Sequence, residues 1–289
     1  MALLIGAGSP PPVGAILFLA GAIALTIGLV AGVGYQVIAR SSRDAARYRG
    51  PSPLLIFGLQ ILLANLAIGI LTVLGLPDPR SNTVAFAIVG VTLLLGYLTV
   101  VSVFVVRTGA LSWRDMGGRW DGLSSVLGNI GYGALVMGAL WVPVTIFAAL
   151  LAMLLGTSTV DIVPNTGGPV DLLLTILAAA LLAPIGEEVF FRGFAVTAWL
   201  RDLGPRSALV RSTIFFAMVH ALNVNVEPEA ALDGAKQAVL AVVVIVPVGL
   251  ALGWIFLRRG LVAAIAGHAT FNLIGVVLLA LAQSLPPAQ

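Results

Sequence analysis

Residues 84–106 read VAFAIVGVTLLLGYLTVVSVFVV, a run with no charged side chain, bracketed by Arg80 and Arg107. At about 1.5 Å rise per residue, such a run makes a helix long enough to cross the ~30 Å hydrocarbon layer of a bilayer. Its apolar residues are continuous and do not alternate with polar ones, as the strands of a membrane barrel would. A helix satisfies every backbone N–H and C=O within its own segment, which lipid demands.

Similar stretches recur on both sides, at 13–38, 54–76, 130–155, 171–191, 208–226, 238–257 and 261–283. The whole chain agrees, with 60% hydrophobic and 9% charged residues over 289 positions, where a soluble domain carries about 25% charged. Soluble enzymes, disulfide scaffolds and disordered tails are thereby excluded. The predicted fold class is all-α, a polytopic membrane helix bundle of about eight transmembrane helices.

Charge placement tests that count independently, because cytoplasmic loops collect Lys and Arg. Arg40, Arg43, Arg47 and Arg49 follow the first span, and Arg107, Arg114 and Arg119 the third. Arg192, Arg201, Arg206 and Arg211 lie in or beside the fifth loop, and Arg258 and Arg259 in the seventh, so the odd loops hold 13 of the 15 basic residues. The even loops hold Arg80 and Lys236 among Asp78, Asp161, Asp171, Glu227, Glu229 and Asp233. Both termini are expected outside, N-out and C-out. The net charge of +3 is spread over loops without forming a patch, so the expected partners are the lipid bilayer and a membrane-associated protein or peptide substrate, with no nucleic acid. Arginine supplies 14 of the 15 basic residues, the usage of a GC-rich bacterial genome, and the expected location is a bacterial cell membrane, multi-pass. The first dozen residues, MALLIGAGSPPP, lack a basic segment, and the run after them is too long for a signal peptide, so the first span is expected to be retained.

The fourth span is interrupted by Pro143, and the stretch Trp113–Asn129 before it reads as an amphipathic segment along the interface. Tyr48, Trp113 and Trp120 read as interfacial anchors. No internal repeat or matched pair of broken helices is visible. Every intramembrane ionisable residue falls in the C-terminal half. The expected organisation is an N-terminal transmembrane scaffold, 1–170, and C-terminal catalytic helices, 171–283, in one integrated bundle.

An ionisable side chain at the centre of a membrane helix costs on the order of 2.5–3.5 kcal/mol on insertion scales, so each is a functional candidate. In APIGEEVFFRGF, Glu187 and Glu188 lie at the cytoplasmic end of the fifth span, and Arg192 follows Glu188 by one helical turn. Adjacent carboxylates point about 100° apart on a helix, so one can pair with Arg192 while the other faces the bundle interior. Pro184 and Gly186 loosen the helix just before them. His220 lies in FFAMVHAL, one turn after Phe216, and His268 shares a helix face with Asn272 in GHATFN. These two histidines are the only ones in the chain, and both fall near the depth of the carboxylates, in the inner half of the membrane.

Two histidines and a carboxylate at one depth suit two chemistries. Glu187, His220 and His268 are ligand types for a divalent metal, zinc above all, with an open position for water. Without metal, a desolvated glutamate acts as general base, and His268 with Asn272 donates to an oxyanion. Both routes attack a carbonyl with water. With no GxSxG, SxxK, HExxH or cysteine present, serine, cysteine and zincin-type proteases are disfavoured. Glu/His chains also mark ion paths, which keeps an ion- or proton-coupled transporter as an alternative.

The set EExxxR at Glu187, Glu188 and Arg192, FxxxH at Phe216 and His220, and HxxxN at His268 and Asn272 resembles the CPBP family of intramembrane proteases. That family, also called Abi, includes the type II CAAX prenyl endopeptidases and bacteriocin-processing or immunity relatives. The likeness covers about 172–277 and extends to Pro184, to FRG after the glutamates and to GLVAAIAGHATFN. It implies an intramembrane endopeptidase, metallo or glutamic. Glu187 would activate water or ligate metal with His220, Glu188 and Arg192 would orient their helix, and His268 and Asn272 would ligate metal or form the oxyanion hole. It also admits a non-catalytic scaffold or immunity protein of the same fold. A prenyl-cysteine substrate does not fit a bacterial chain, and a membrane-embedded peptide or small secreted precursor does.

Overall fold

The computed structural model describes residues 12–118, 121–158, 164, 167–222, 224 and 231–284, with side chains from Ala20 onward. Arg119, Trp120, Asp161, Glu227 and Glu229 lie outside the described residues. Among the described residues there are eight helices and no strand. They are α1 (Pro12–Arg40), α2 (Pro53–Val73), α3 (Thr83–Val106), α4 (Leu123–Leu155), α5 (Pro169–Leu203), α6 (Pro205–Ala221), α7 (Ala231–Arg259) and α8 (Leu261–Ser284).

Seven of these are long and apolar enough to cross a membrane. The other is α6, with 17 residues, which occupies the first part of the expected sixth span at 208–226. Gly204, at φ +78°, turns the chain directly from α5 into α6, and Pro205 opens the new helix, where its missing N–H costs nothing. Lipid-facing surface dominates the outer helices: in the most apolar windows of α1 and α4 only 11% of the residues are buried.

The loops sort into two faces as the charge pattern predicts. On the basic face, Arg43 after α1 pairs with Asp202 at 3.4 Å, and Asp115 after α3 pairs with Arg201 at 3.1 Å. On the other, the Thr83 hydroxyl donates to Asp171, and that of Thr157 to Asp233 at 2.6 Å.

Three expectations are corrected. The fourth span starts at Leu123 rather than 130, and α4 runs unbroken through Pro143 for 33 residues, so 123–129 is helix where an interfacial segment was expected. The fifth span ends at Leu203 rather than 191, because Arg201 and Asp202, which read as loop, extend the helix and find partners in the neighbouring loops. The carboxylates therefore stand mid-helix. Tyr48 is no interfacial anchor but is 1% exposed, its N–H held by Asp202 at 3.2 Å and its ring 6.2 Å from that of Phe194. Burial pushes the Tyr48 phenol well above its usual range.

The C-terminal half of α5 is the core of the molecule. Every residue from Glu188 to Trp199 is buried, and the rings of Phe190 and Phe191 pack on Phe57 of α2, Tyr97 of α3 and Phe215 of α6. Glycines bring the surrounding helices to backbone contact. A Cβ on Gly133 of α4 would collide with the Ala263 carbonyl of α8, and one on Gly267 would lie 2.8 Å from Met137 Cγ and 3.0 Å from Gly133 O. This crossing fixes the position of His268, the next residue.

Candidate active site

Helix α5 changes its winding around the glutamates. Residues Ile176–Leu182 and Val189–Val196 have the wide π form, and the single α turn Ala183–Glu188 lies between them. Such segments in an α-helix are frequent at functional sites. The loosening expected of Pro184 and Gly186 takes this shape. At the end of the first π stretch the Ala183 N–H bonds five residues back, to Ala178 O. Gly186 then lets α5 press on α3, a Cβ there lying 3.0 Å from the Tyr97 ring and 3.3 Å from Leu94 Cα.

The two carboxylates face different surroundings. The Glu188 side chain is fully buried, and its Oε1 accepts from both Arg192 Nη1 and His268 Nδ1 at 2.8 Å. The Arg192 side chain is only 1% exposed and also donates through Nη2 to Gly249 O of α7 at 3.3 Å. Among the described residues, the buried Glu188 Oε2 and Arg192 Nε have no hydrogen-bond partner. A pair so placed is costly to bury, and its worth lies in what it holds still. The Glu187 side chain is 23% exposed, and its Oε2 lies 3.9 Å from His268 Nε2. That is too long for a direct hydrogen bond and suits a bridging water.

His220 Nδ1 lies 2.8 Å from the Phe216 carbonyl one turn earlier. Since that oxygen only accepts, Nδ1 carries the proton and Nε2 of the neutral ring has the lone pair. The same logic gives His268 an Nδ1–H directed at Glu188. Phe216, fully buried, is the surface these groups share. Arg192 Cζ lies 4.1 Å from its ring centroid, and the rings of His220 and His268 lie 4.4 and 5.8 Å away.

The structure thus brings Glu187, Glu188, Arg192 and His268 together, and sets His220 beside them across Phe216. Asn272 makes a different contact, its Nδ2 donating to Ala179 O of α5 at 2.8 Å. Sequence reasoning did not find the Gly249 carbonyl, whose only signal was a glycine in an apolar run. Phe216 it held merely as a motif position.

Glu187, His220 and His268 fit a divalent cation in donor type, and each histidine has its Nδ1 engaged by an acceptor, as metal-bound imidazoles do. As packed, however, no group of three His, Cys, Asp or Glu side chains among the described residues is arranged to hold a metal ion.

Residues 169–274 match the Rce1-like family model, the type II CAAX prenyl endopeptidases. The matched stretch is about a third of the chain, contains all six site residues and agrees with the family that the three motifs resemble. No curated protein and no solved structure matches the chain.

Proposed function

We propose, with the type II CAAX endopeptidase match as premise, that this multi-pass membrane protein is an intramembrane endopeptidase that cleaves peptide bonds with glutamate-activated water. The observation that carries the reading is the gap between Glu187 Oε2 and His268 Nε2, on a carboxylate that is partly open while its neighbour is sealed.

A water in that gap loses a proton to Glu187 as its oxygen attacks the substrate carbonyl. The tetrahedral oxyanion collapses, the C–N bond breaks, and the proton passes from Glu187 to the leaving nitrogen. His220, across Phe216, keeps the lone pair of its Nε2 as a further proton acceptor. His268, its Nδ1–H directed at Glu188, accepts the water's other hydrogen at Nε2 and orients it for attack. The ion pair of Glu188 with Arg192 fixes the orientation of His268 and touches no substrate. The substrate is a membrane-associated peptide or precursor in a bacterial membrane, reaching the site from the inner leaflet. A prenyl-cysteine is not required by any residue described.

The test is purified protein in liposomes with a library of membrane-anchored peptides, cleavage being read by mass spectrometry against Glu187→Gln. Products from wild type alone support the reading. Equal products from both proteins, or none from a folded wild type, defeat it.

A further inference from the structure

Proline cannot donate a backbone hydrogen bond, and the effect of Pro184 falls on one identifiable carbonyl. Because the Ala183 N–H bonds five residues back to Ala178 O, the next bond in this register would run from residue 184 to Ala179 O. Residue 184 is proline, so the helix supplies no such donor. Ala179 lies about 15 Å along α5 from Pro169, well inside a segment long enough to span a membrane, where a backbone carbonyl without a donor is costly. The atom that does is Asn272 Nδ2 of α8, at 2.8 Å. Since the carbonyl can only accept, the amide nitrogen is the end of Asn272 that faces it.

We propose that Asn272 is a positioning residue whose side-chain amide replaces the N–H that Pro184 lacks, clamping α8 to the π turn that precedes the glutamates. One turn of α8 separates Asn272 from His268, and one turn of α5 separates Pro184 from Glu188. The clamp and the His268–Glu188 contact therefore tie the same two helices at successive levels, and together they fix the distance from His268 to Glu187. On the opposite side of the π turn, Gly90 of α3 admits Ala178, to whose Cβ a glycine Cβ would stand at 3.2 Å. The widened turn is thus held between α3 and α8.

In its activity arm the inference rests on the peptidase reading; in its stability arm it does not. The experiment is a double-mutant cycle on the full chain with Asn272→Ala, Pro184→Ala and the two combined, reading both thermal midpoint and kcat/KM. Pro184→Leu repeats the cycle with a second side chain that restores the N–H. Asn272→Ala alone is expected to lower the midpoint and to reduce kcat/KM by up to about a hundredfold, the scale of an ångström of misplacement. With an N–H restored at 184, Ala179 O regains a donor, and the Asn272→Ala loss is expected to shrink to about threefold or less, with a smaller drop in midpoint. The same loss in both backgrounds, in midpoint and in kcat/KM alike, overturns the clamp and returns Asn272 to direct contact with the reacting carbonyl. A folded wild type with no cleavage defeats the peptidase reading and leaves the clamp to be decided by the midpoints.

Discussion

His268 Nδ1 and Glu188 Oε1 lie 2.8 Å apart, although 80 residues separate them in the chain. The oxygen that receives His268 is the same one that receives Arg192. The orientation of the imidazole toward Glu187 therefore depends on an ion pair that is itself shut away from any substrate.

Glu187→Gln and Arg192→Ala are expected to fail in different ways. The glutamine keeps the shape of a partly exposed side chain, so cleavage is lost while the thermal midpoint stays near wild type. Removing Arg192 leaves a buried carboxylate unpaired, a loss of about 3–5 kcal/mol in comparable buried pairs, so stability falls along with activity. Thermal denaturation in detergent beside a cleavage assay separates the two, and equal destabilisation would contradict this division of roles.

If Glu187 is the base and the gap beside it holds the water, as proposed, cleavage is expected to survive exhaustive chelation. Elemental mass spectrometry of wild type, Glu187→Gln and His220→Ala is the check. Near-stoichiometric zinc in wild type, lost from both variants along with chelator-sensitive activity, would move the chemistry to a metal-bound water.

Gly267→Ala should act on the site from behind. Its new Cβ would meet Met137 Cγ and the Gly133 backbone, and overpacking of this kind costs about 1–3 kcal/mol. Because α8 must then move off α4, taking His268 with it, cleavage should fall more than unfolding at assay temperature explains. Unchanged turnover at reduced stability would show that the crossing does not position His268.

The chain has no cysteine, so single cysteines report topology directly. Arg47→Cys should be shielded from an impermeant maleimide in intact cells, and Arg80→Cys should react. The reverse pattern would invert the N-out, C-out orientation.

The helices were legible because lipid imposes a length and a hydropathy that few other folds share. So was the Glu188–Arg192 pair, since a spacing of four residues puts both on one helical face. The extension of α5 to Leu203 was not, because Arg201 and Asp202 are charged and their partners Asp115 and Arg43 come from distant loops. The early start of α4 was hidden in the same way, by polar residues of its first turns that hydropathy assigns to a loop. The burial of Tyr48 depends on Asp202 and Phe194, which no local pattern brings near it. Within the site, residue types and depth could be read, but the choice of Glu188 over Glu187 as the close partner of His268 is made by the crossing of two helices.

The π winding of residues 176–182 makes a count of residues matter as much as their identity. Each residue of an α-helix advances the side-chain direction by about 100°, so deleting any one member of ILAAALL would swing Glu187, Glu188 and Arg192 together to another compass bearing. None of the three would be altered, yet Glu187 and Glu188 would miss His268 of α8 and Arg192 would miss the Gly249 carbonyl of α7. Exchanges among small apolar residues in that stretch should be tolerated far better than a change in their number, so that the aim of the carboxylates is stored in a length.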